Sequence, residues 1–479
     1  MVQPATNKVI ARVPEATPEE FNAAIESSKK AFQEWKKVPI TQRVRTIYEF
    51  RDKVIKNLDR IAENITEELG KIGLDAKGDV IRGLEVVEHN TSAATLLMGD
   101  IVPNVATNID TYNIQQPLGV TAGVCPFNFP AMIPLWMIPT SIVCGNSIVI
   151  KPSEKDPGAV EILAEISKDI WPDGVFNVVQ GTKSVVDGFC DHPAVRAISF
   201  VGGGRVGNYI HERGSKNGKR VQANMAAKNH GVILPDAQKE RTLDALVGAA
   251  FGATGQRCMA LPVAVFVGEA QNWIPDLVQK AKTLKVGPGT DPDAAIGPVV
   301  TRESLNRIHS LIEDGIKSGA KLILDGRNPP VDPNFKSGNY IGATIFDQAA
   351  PDMKIYTEEI FGPVLVILRA DTLDQAITML NSNPYGNGCA IFTASGAAAR
   401  KFTNEIEVGQ VGINLPIPVP PPFFSFTGAK GSFIGTHNFY GRNGVKFYTQ
   451  TKTVLSNWWD DDVSSGVRTA MPLLGREDK

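Results

Sequence analysis

Between residue 18 and about residue 89, small and apolar side chains recur at helical spacing. Phe21, Ala24, Ile25, Ser28 and Phe32 form one stripe, and Val44, Ile47, Phe50, Val54 and Ile55 form another, the signature of amphipathic helices packed on a core. Thr17-Pro18-Glu19-Glu20 supplies a start signal: a hydroxyl cap, a proline whose missing N–H costs nothing in the first turn, and acids at the positive end of the helix dipole. The texture changes after Asn104. Residues 110–117 are polar and alternating, which predicts an exposed edge strand and a candidate for pairing with another subunit.

Beyond residue 118 short apolar runs alternate with helical stretches. Strands are predicted over 119–125, 147–151, 176–180 and 197–201, with helices near 132–144, 159–169 and 184–190. Short apolar strands separated by helices describe a doubly wound parallel sheet. A second set runs from about 260 to 411, with strands over 263–267, 321–324, 364–369 and 388–393. The fold class is therefore α/β, with two domains facing each other and joined near 229–235. Pro416, Pro418 and Pro420 to Pro422 exclude helix or inner strand from 414–426; a pocket wall and a rigid surface connector fit this stretch equally. Residues 439–455 return to strand character, with Val445, Phe447, Tyr448 and Thr449, and the tail with Asp460 to Asp462 reads as solvated.

Composition narrows the function classes. A chain of 479 residues has a prior of two or three domains, and its net charge of -2 offers no basic face for nucleic acid or anionic lipid. Cysteines 125, 144, 190, 258 and 389 are scattered without Cys-x-x-Cys or Cys/His metal spacing, the usage of a reducing compartment with no metal site. The run 131–143 is interrupted by Pro134, Pro139 and Thr140 and is too short to span a bilayer. The first residues carry neither a secretory nor an organellar pattern, so the expectation is a cytoplasmic protein or one shown without its targeting segment.

Two stretches carry candidate chemistry. In Gly252-Ala-Thr-Gly-Gln-Arg-Cys-Met-Ala260 a thiol of ordinary pKa, about 8.5, is mostly protonated at neutral pH, and the neighbouring Arg257 would favour the thiolate. Gly252 and Gly255 would let the backbone approach a substrate. By itself the stretch fits a nucleophile and a buried small cysteine equally well. Residues 197–201 run as a strand into Gly202-Gly-Gly-Arg-Val-Gly207, a Gly-x-Gly-x-x-Gly turn whose N–H groups can hold a pyrophosphate. The acid expected about 20 residues on is absent from 226–229. Lys151, Ser153 and Glu154, at the end of another predicted strand, offer a substitute, or are plain surface ion-pair residues.

Pro126-Phe-Asn-Phe-Pro130, Lys151-Pro-Ser-Glu154, Phe200-Val-Gly202, Gly255-Gln-Arg-Cys258 and Glu358-Glu-Ile-Phe-Gly-Pro-Val364 together resemble the aldehyde dehydrogenase superfamily in order and spacing over nearly the whole chain. Ala223-Asn-Met-Ala-Ala-Lys-Asn-His-Gly231, Arg257, Ile417-Pro-Val-Pro420 and Phe424-Ser-Phe426 are similar to its CoA-acylating, NAD-using methylmalonate-semialdehyde branch. The resemblance implies a cofactor domain over 1–96 and 118–228, a catalytic domain over 229–443, a small β oligomerisation element over 97–117 and 444–457, and a flexible tail over 458–479. It implies Cys258 as nucleophile and Asn128 as oxyanion donor. Lys151 and Glu154 would lie at the adenosine ribose of NAD, Gly202 and Gly207 at the pyrophosphate, and Glu359 and Phe361 at the nicotinamide ribose and ring, with Phe127 and Ser153 also binding the cofactor. Arg257 and Arg82 would take a substrate carboxylate, although Arg82 also suits a surface helix charge. A homotetramer or dimer, and a mitochondrial matrix location like that of eukaryotic relatives, are further implications.

The informative departure is Asn224, an amide where most hydrolytic relatives carry glutamate. An amide is no general base at neutral pH, and residues 436–440 likewise lack acids common there. The expectation is a thioester that waits for the CoA thiol, with loss of CO2 on the way. Rival readings are a hydrolytic enzyme giving a free acid, with Glu358 or a bound water replacing the base, and a catalytically weak relative used for binding or structure. Gly203 and Gly204 remove a hydroxyl from the phosphate turn, and the start at Gln3-Pro-Ala-Thr-Asn7 lies later than the family usually begins; weaker cofactor binding and missing N-terminal strands are the matching expectations.

Overall fold

The computed structural model describes residues 1–458; the tail expectation, from Trp459 on, lies outside them. The N-terminal stripes resolve into four helices, Pro18–Trp35, Ile40–Lys56, Leu58–Leu69 and Gly73–Asn90. Thr17 and Glu20 form a reciprocal capping box at the first, which satisfies donors that the helix itself leaves unpaired. Gly70 ends the third at φ 80, and a Cβ there would stand 2.4 Å from Pro298, so only glycine suits the turn. Ile47, Phe50, Val54, Ile61, Ile65 and Val80 are fully buried and share one core with helix Met132–Val143. Every residue of that helix is buried, which is why its sequence is apolar on all sides.

A six-stranded sheet has the order Phe433–Gly435, Arg220–Asn224, Val195–Val201, Val120–Val124, Ser147–Lys151, Phe176–Val178. All its pairs are parallel except the one made by Phe433–Gly435. A seven-stranded sheet has the order Lys321–Leu324, Thr344–Asp347, Val364–Ala370, Val263–Val267, His230–Ile233, Gly388–Phe392, Gln410–Ile413, antiparallel only at Lys321–Leu324. The strands are nearly all buried, as parallel strands covered by helices on both faces must be. Residues 229–235 are thus more than a joint: His230–Ile233 runs inside the second sheet. In open parallel sheets, ligands gather beyond the carboxyl ends of the strands, and the cleft described below lies beyond Val124, Lys151 and Val201.

A third, antiparallel sheet has the order Ile101–Ala106, Ile109–Pro117, Thr449–Asn457, so the stretch expected as an exposed edge strand lies in its middle, paired on both sides. The last strand pairs with Ile109–Pro117 along its whole length, from Thr449 opposite Pro117 to Asn457 opposite Ile109. The strand expected over 439–455 is corrected here: Gly441–Tyr448 is a helix, and the strand begins only at Thr449. Gly441, Gly444, Val445, Phe447 and Tyr448 are buried in it, so packing overrides the β preference of Val445, Phe447 and Tyr448. The first residues form a Val2–Val9 bridge, Ala5 joins the core of the seven-stranded half, and Pro4 O accepts the Asn339 N–H. No described helix is long and apolar enough to cross a membrane.

Candidate active site

A cleft of about 720 Å³ opens between the two large sheets. Its wall includes Phe127, Asn128, Lys151, Ser153, Glu154, Gly202, Cys258, Glu359 and Phe361, so residues separated by more than two hundred positions meet in one cavity. At one end, Lys151 Nζ is held by Pro152 O at 2.5 Å and lies 3.5 Å from the half-exposed Glu154 carboxylate, while Ser153 Oγ accepts the Lys155 N–H. In the middle, Gly203 caps helix Gly204–Lys216 without any side-chain cap, and no atom lies within 4 Å of where a Cβ would stand. A helix N-terminus with no side-chain cap, beside a glycine whose Cβ position is clear, is what a pyrophosphate needs. The residues present therefore fit a dinucleotide. Gly207 does not line the cleft. A Cβ there would meet Met225 at 2.6 Å, so this glycine lets the helix close on strand Arg220–Asn224. Thr182, Lys183, Arg205 and Val206 also line the cavity; Arg205 and Val206 fill the variable positions of the glycine motif, whereas no motif pointed to Thr182 and Lys183, whose place depends on a neighbouring helix closing over the strand ends.

At the other end the Phe127 and Phe361 rings stand edge to face, 5.7 Å apart, and Phe361 holds a positive φ of 57. Glu359 Oε1 accepts the Ala227 N–H at 2.9 Å. Burial pushes its carboxyl up to about 7. Lys228, fully buried beside it, is pushed down to about 7 by desolvation, with the Glu359 charge acting against the shift. Its ammonium donates to Ile355 O and Glu358 O, and Arg307 donates to Glu359 O and Ile360 O. Two cations thus satisfy four carbonyls of the segment that carries Glu359 and Phe361. Glu358 points elsewhere: its carboxylate lies 3.4 Å from Arg307 and takes no part in lining the cleft, so it does not stand in as a base for Cys258.

The nucleophile stretch is held in a strained form. Ala253, Thr254 and Gly255 all have positive φ, 48, 59 and 68, and such conformations persist only where surroundings over-determine them. Asp75 accepts the Ala253 N–H, Thr254 Oγ1 donates to Gly297 O, and the Cys258 carbonyl receives the Asn229 and Asn387 side-chain amides at 2.8 and 3.1 Å. The glycines serve the chain's own packing rather than a substrate. A Cβ on Gly255 would lie 2.1 Å from Gly362 O, and one on Gly252 would lie 2.6 Å from the Arg257 guanidinium.

Arg257 favours the thiolate as expected, but it is outweighed. Burial, followed by the Glu359 charge, pushes the Cys258 thiol up to about 12, and the pull of Arg257 the other way is weak. The physical reason is direction: Arg257 Nη2 donates to Asp75 at 2.6 Å. With Asp75, Gly252 and Ile417 the guanidinium lines a second cavity of about 520 Å³ that Cys258 does not line. Leu415, Pro416 and Ile417 belong to that wall, so the proline-rich stretch is a pocket wall at this point. Arg82, on helix Gly73–Asn90, pairs with Glu85 at 2.5 Å and donates to Val419 O; it lines neither cavity.

Asn128 Nδ2 donates to Gln256 O at 2.9 Å, which fixes its amide plane beside the Cys258 loop and leaves its second N–H free. Asn224 is buried at the end of its strand, and its Oδ1 has no partner. A Cβ on Gly428 would stand 3.1 Å from that oxygen and 3.6 Å from Asn387 Oδ1, so Asn224 and the amide that grips the Cys258 carbonyl both lie against Gly428; neither lines the cleft.

The aldehyde dehydrogenase family model matches residues 1–454. A Bos taurus protein named methylmalonate-semialdehyde/malonate-semialdehyde dehydrogenase [acylating], mitochondrial, is 53% identical over 475 residues, 99% of this chain and 88% of that protein. The crystal structure of a methylmalonate-semialdehyde dehydrogenase from Oceanimonas doudoroffii superposes with a TM-score of 0.94 at 42% identity, covering 96% of this chain and 95% of that one. A Sinorhizobium meliloti 1021 structure complexed with NAD has the same TM-score at 43% identity, covering 96% and 94%. With two wound sheets enclosing a thiol and an open phosphate cradle, and with these likenesses running nearly end to end, the chain belongs to the aldehyde dehydrogenase family.

Proposed function

We propose that the protein oxidises methylmalonate semialdehyde or malonate semialdehyde with NAD, releases CO2, and passes the propanoyl or acetyl group to CoA through a thioester on Cys258. The observation that carries the CoA step is Asn224, a buried amide whose Oδ1 has no partner. A hydrolytic enzyme needs a base there to activate water, and an amide cannot accept that proton at neutral pH.

Lys151 and Glu154 would hold the adenosine ribose, the Gly202–Gly203 turn the pyrophosphate, and Glu359, Phe127 and Phe361 the nicotinamide end. When bound, NAD supplies the hydride acceptor. The Cys258 sulfur, as thiolate, bonds to the aldehyde carbon, and the carbonyl oxygen becomes an oxyanion. The free N–H of Asn128 Nδ2 and the Cys258 N–H donate to it, an interaction of greatest value in a site closed to water. As the oxyanion collapses with loss of hydride, a thioester forms. The bond to the substrate carboxylate then breaks to CO2, and a proton replaces it on carbon. CoA thiolate attacks the thioester carbonyl and Cys258 thiolate leaves, which splits one difficult transfer into two easier ones. Arg257 and Arg82 enter as cations for the substrate carboxylate through the resemblance alone, since Arg257 lines the second cavity and Arg82 lines neither.

The three-stranded sheet, with Ile101, Val102 and Leu455 exposed, would build a homotetramer or dimer, and a mitochondrial matrix location rests on the name of the Bos taurus relative. The test measures NADH and acyl product from each semialdehyde with and without CoA. CoA thioester is expected, with free acid forming slowly. Rapid turnover to free acid without CoA assigns the hydrolytic reading, and absence of any NADH assigns a binding or structural role.

A further inference from the structure

Helix Met132–Val143 is buried along its whole length, yet Ala131 at its start offers no side-chain cap. Water does not reach a helix end in such a place, so its first N–H groups need a protein acceptor. The acceptor comes from another helix: Asp79 Oδ1 takes the Met132 N–H at 2.7 Å. The carboxylate is fully buried, and burial raises its pKa, with Lys71 the leading opposing influence. Lys71 Nζ lies 2.9 Å from Asp79 Oδ2 and donates at 2.8 Å to Asn128 O, with its ammonium 4.1 Å from the Phe129 ring centre. One buried ion pair therefore grips the 128–132 turn at both ends. A buried pair is weak support for stability, because desolvation offsets the attraction between the charges.

We propose that Lys71 and Asp79 are positioning residues for Asn128, locking its main chain so that the free N–H of Nδ2 meets the oxyanion. This rests on the function proposed above. Neither residue touches substrate; each acts through the turn. An oxyanion donor removed outright costs on the order of 10²–10³ in rate, and a donor held loosely loses a share of that.

The experiment follows NADH release in a single turnover without CoA, and the KM for NAD, in wild type, Lys71→Met, Asp79→Asn, Asn128→Ala and the double variant Lys71→Met/Asn128→Ala. Lys71→Met and Asp79→Asn are expected to slow the turnover at least tenfold with the KM for NAD within about twofold of wild type. The double variant is expected to match Asn128→Ala alone, since the same interaction is already lost. Losses that multiply in the double variant, or single variants within twofold of wild type, overturn the proposal. Lys71→Met leaves a buried carboxylate unpaired, so if it does not fold, the neutral pair Lys71→Met/Asp79→Asn takes its place. A neutral pair that does not fold either assigns these residues to stability and overturns the proposal. A wild type without CoA-dependent thioester, or an unimpaired Asn128→Ala, instead refutes the functional reading beneath it.

Discussion

Gly255→Ala tests whether the thiol loop and the nicotinamide loop are held in register by backbone contact. Gly255 sits at φ 68, and the added Cβ would stand 2.1 Å from Gly362 O, 2.5 Å from Gly362 C and 3.0 Å from Pro363 N. Ordinary contact distances are about 3.5 Å, so the two loops must part by roughly 1 Å, and the left-handed conformation costs alanine about a further 1–2 kcal/mol. The obstacle is main chain on both sides and does not rotate away. Gly362 leads through Pro363 into strand Val364–Ala370, where Pro363 O accepts the Thr344 N–H, so the displacement falls on Cys258 and on the Glu359–Phe361 segment. A misplacement of about 1 Å at reacting atoms costs on the order of 10² in rate. The assay is single-turnover NADH formation, with circular dichroism and thermal melting to verify folding. Gly78→Ala is the control, because it lies inside helix Gly73–Asn90 with no atom within 4 Å of the added carbon; it should gain about 0.5–1 kcal/mol of stability. A folded Gly255→Ala enzyme within threefold of wild type refutes the register argument.

Alkylation by iodoacetamide without NAD should accelerate about tenfold per pH unit from 7 to 10, because the Cys258 thiol is pushed up to about 12; a plateau near pH 8 contradicts this. Glu359, raised to about 7 by burial, contributes stability that is fully present below its unfolded value near 4.5 and lost as pH rises through 7. Lys228, depressed to about 7, contributes stability present above its unfolded value near 10.5 and lost as pH falls through 7. The melting temperature of Glu359→Gln should therefore rise relative to wild type between pH 5 and 8, and a constant difference across that window rules the carboxyl's role out. Arg257→Ala should raise the KM for the carboxylated semialdehydes at least tenfold while sparing NADH formation from propanal; equal losses on both would show that the guanidinium, with Asp75, only shapes the loop.

Much of this was legible because the helices and parallel strands are local objects. Phe21, Ile25 and Ser28 keep one buried face of a helix, and a five-residue run such as Ser147–Lys151 announces a buried strand by itself. The chemistry was legible where residues lie at strand ends or in fixed tripeptides, as with Lys151, Asn128 and Cys258. What escaped has no local signal. Helix Gly441–Tyr448 buries Gly441, Gly444, Val445 and Tyr448 at helical spacing, but two of these are glycines, so the side chains that show in the sequence are the strand-formers Val445, Phe447 and Tyr448; His230–Ile233 is short enough to pass for a joint. Asp75 meets Arg257 across 182 positions, and only that contact reveals that the guanidinium turns away from the thiol it follows in sequence.

The pairing of Thr449–Asn457 with Ile109–Pro117 also sets a timetable for synthesis. The earlier strand leaves the ribosome with more than three hundred residues still to come, and long-range pairings are the slowest to form. Through that interval its hydrogen-bonding edge stays bare, with Ile114 beside it. The polar alternation of Asp110, Asn113, Gln115 and Gln116 then acts as a safeguard, since an apolar edge left waiting so long would capture neighbouring nascent chains. The same residues that look unremarkable in the finished sheet keep the unfinished chain soluble until its last strand arrives.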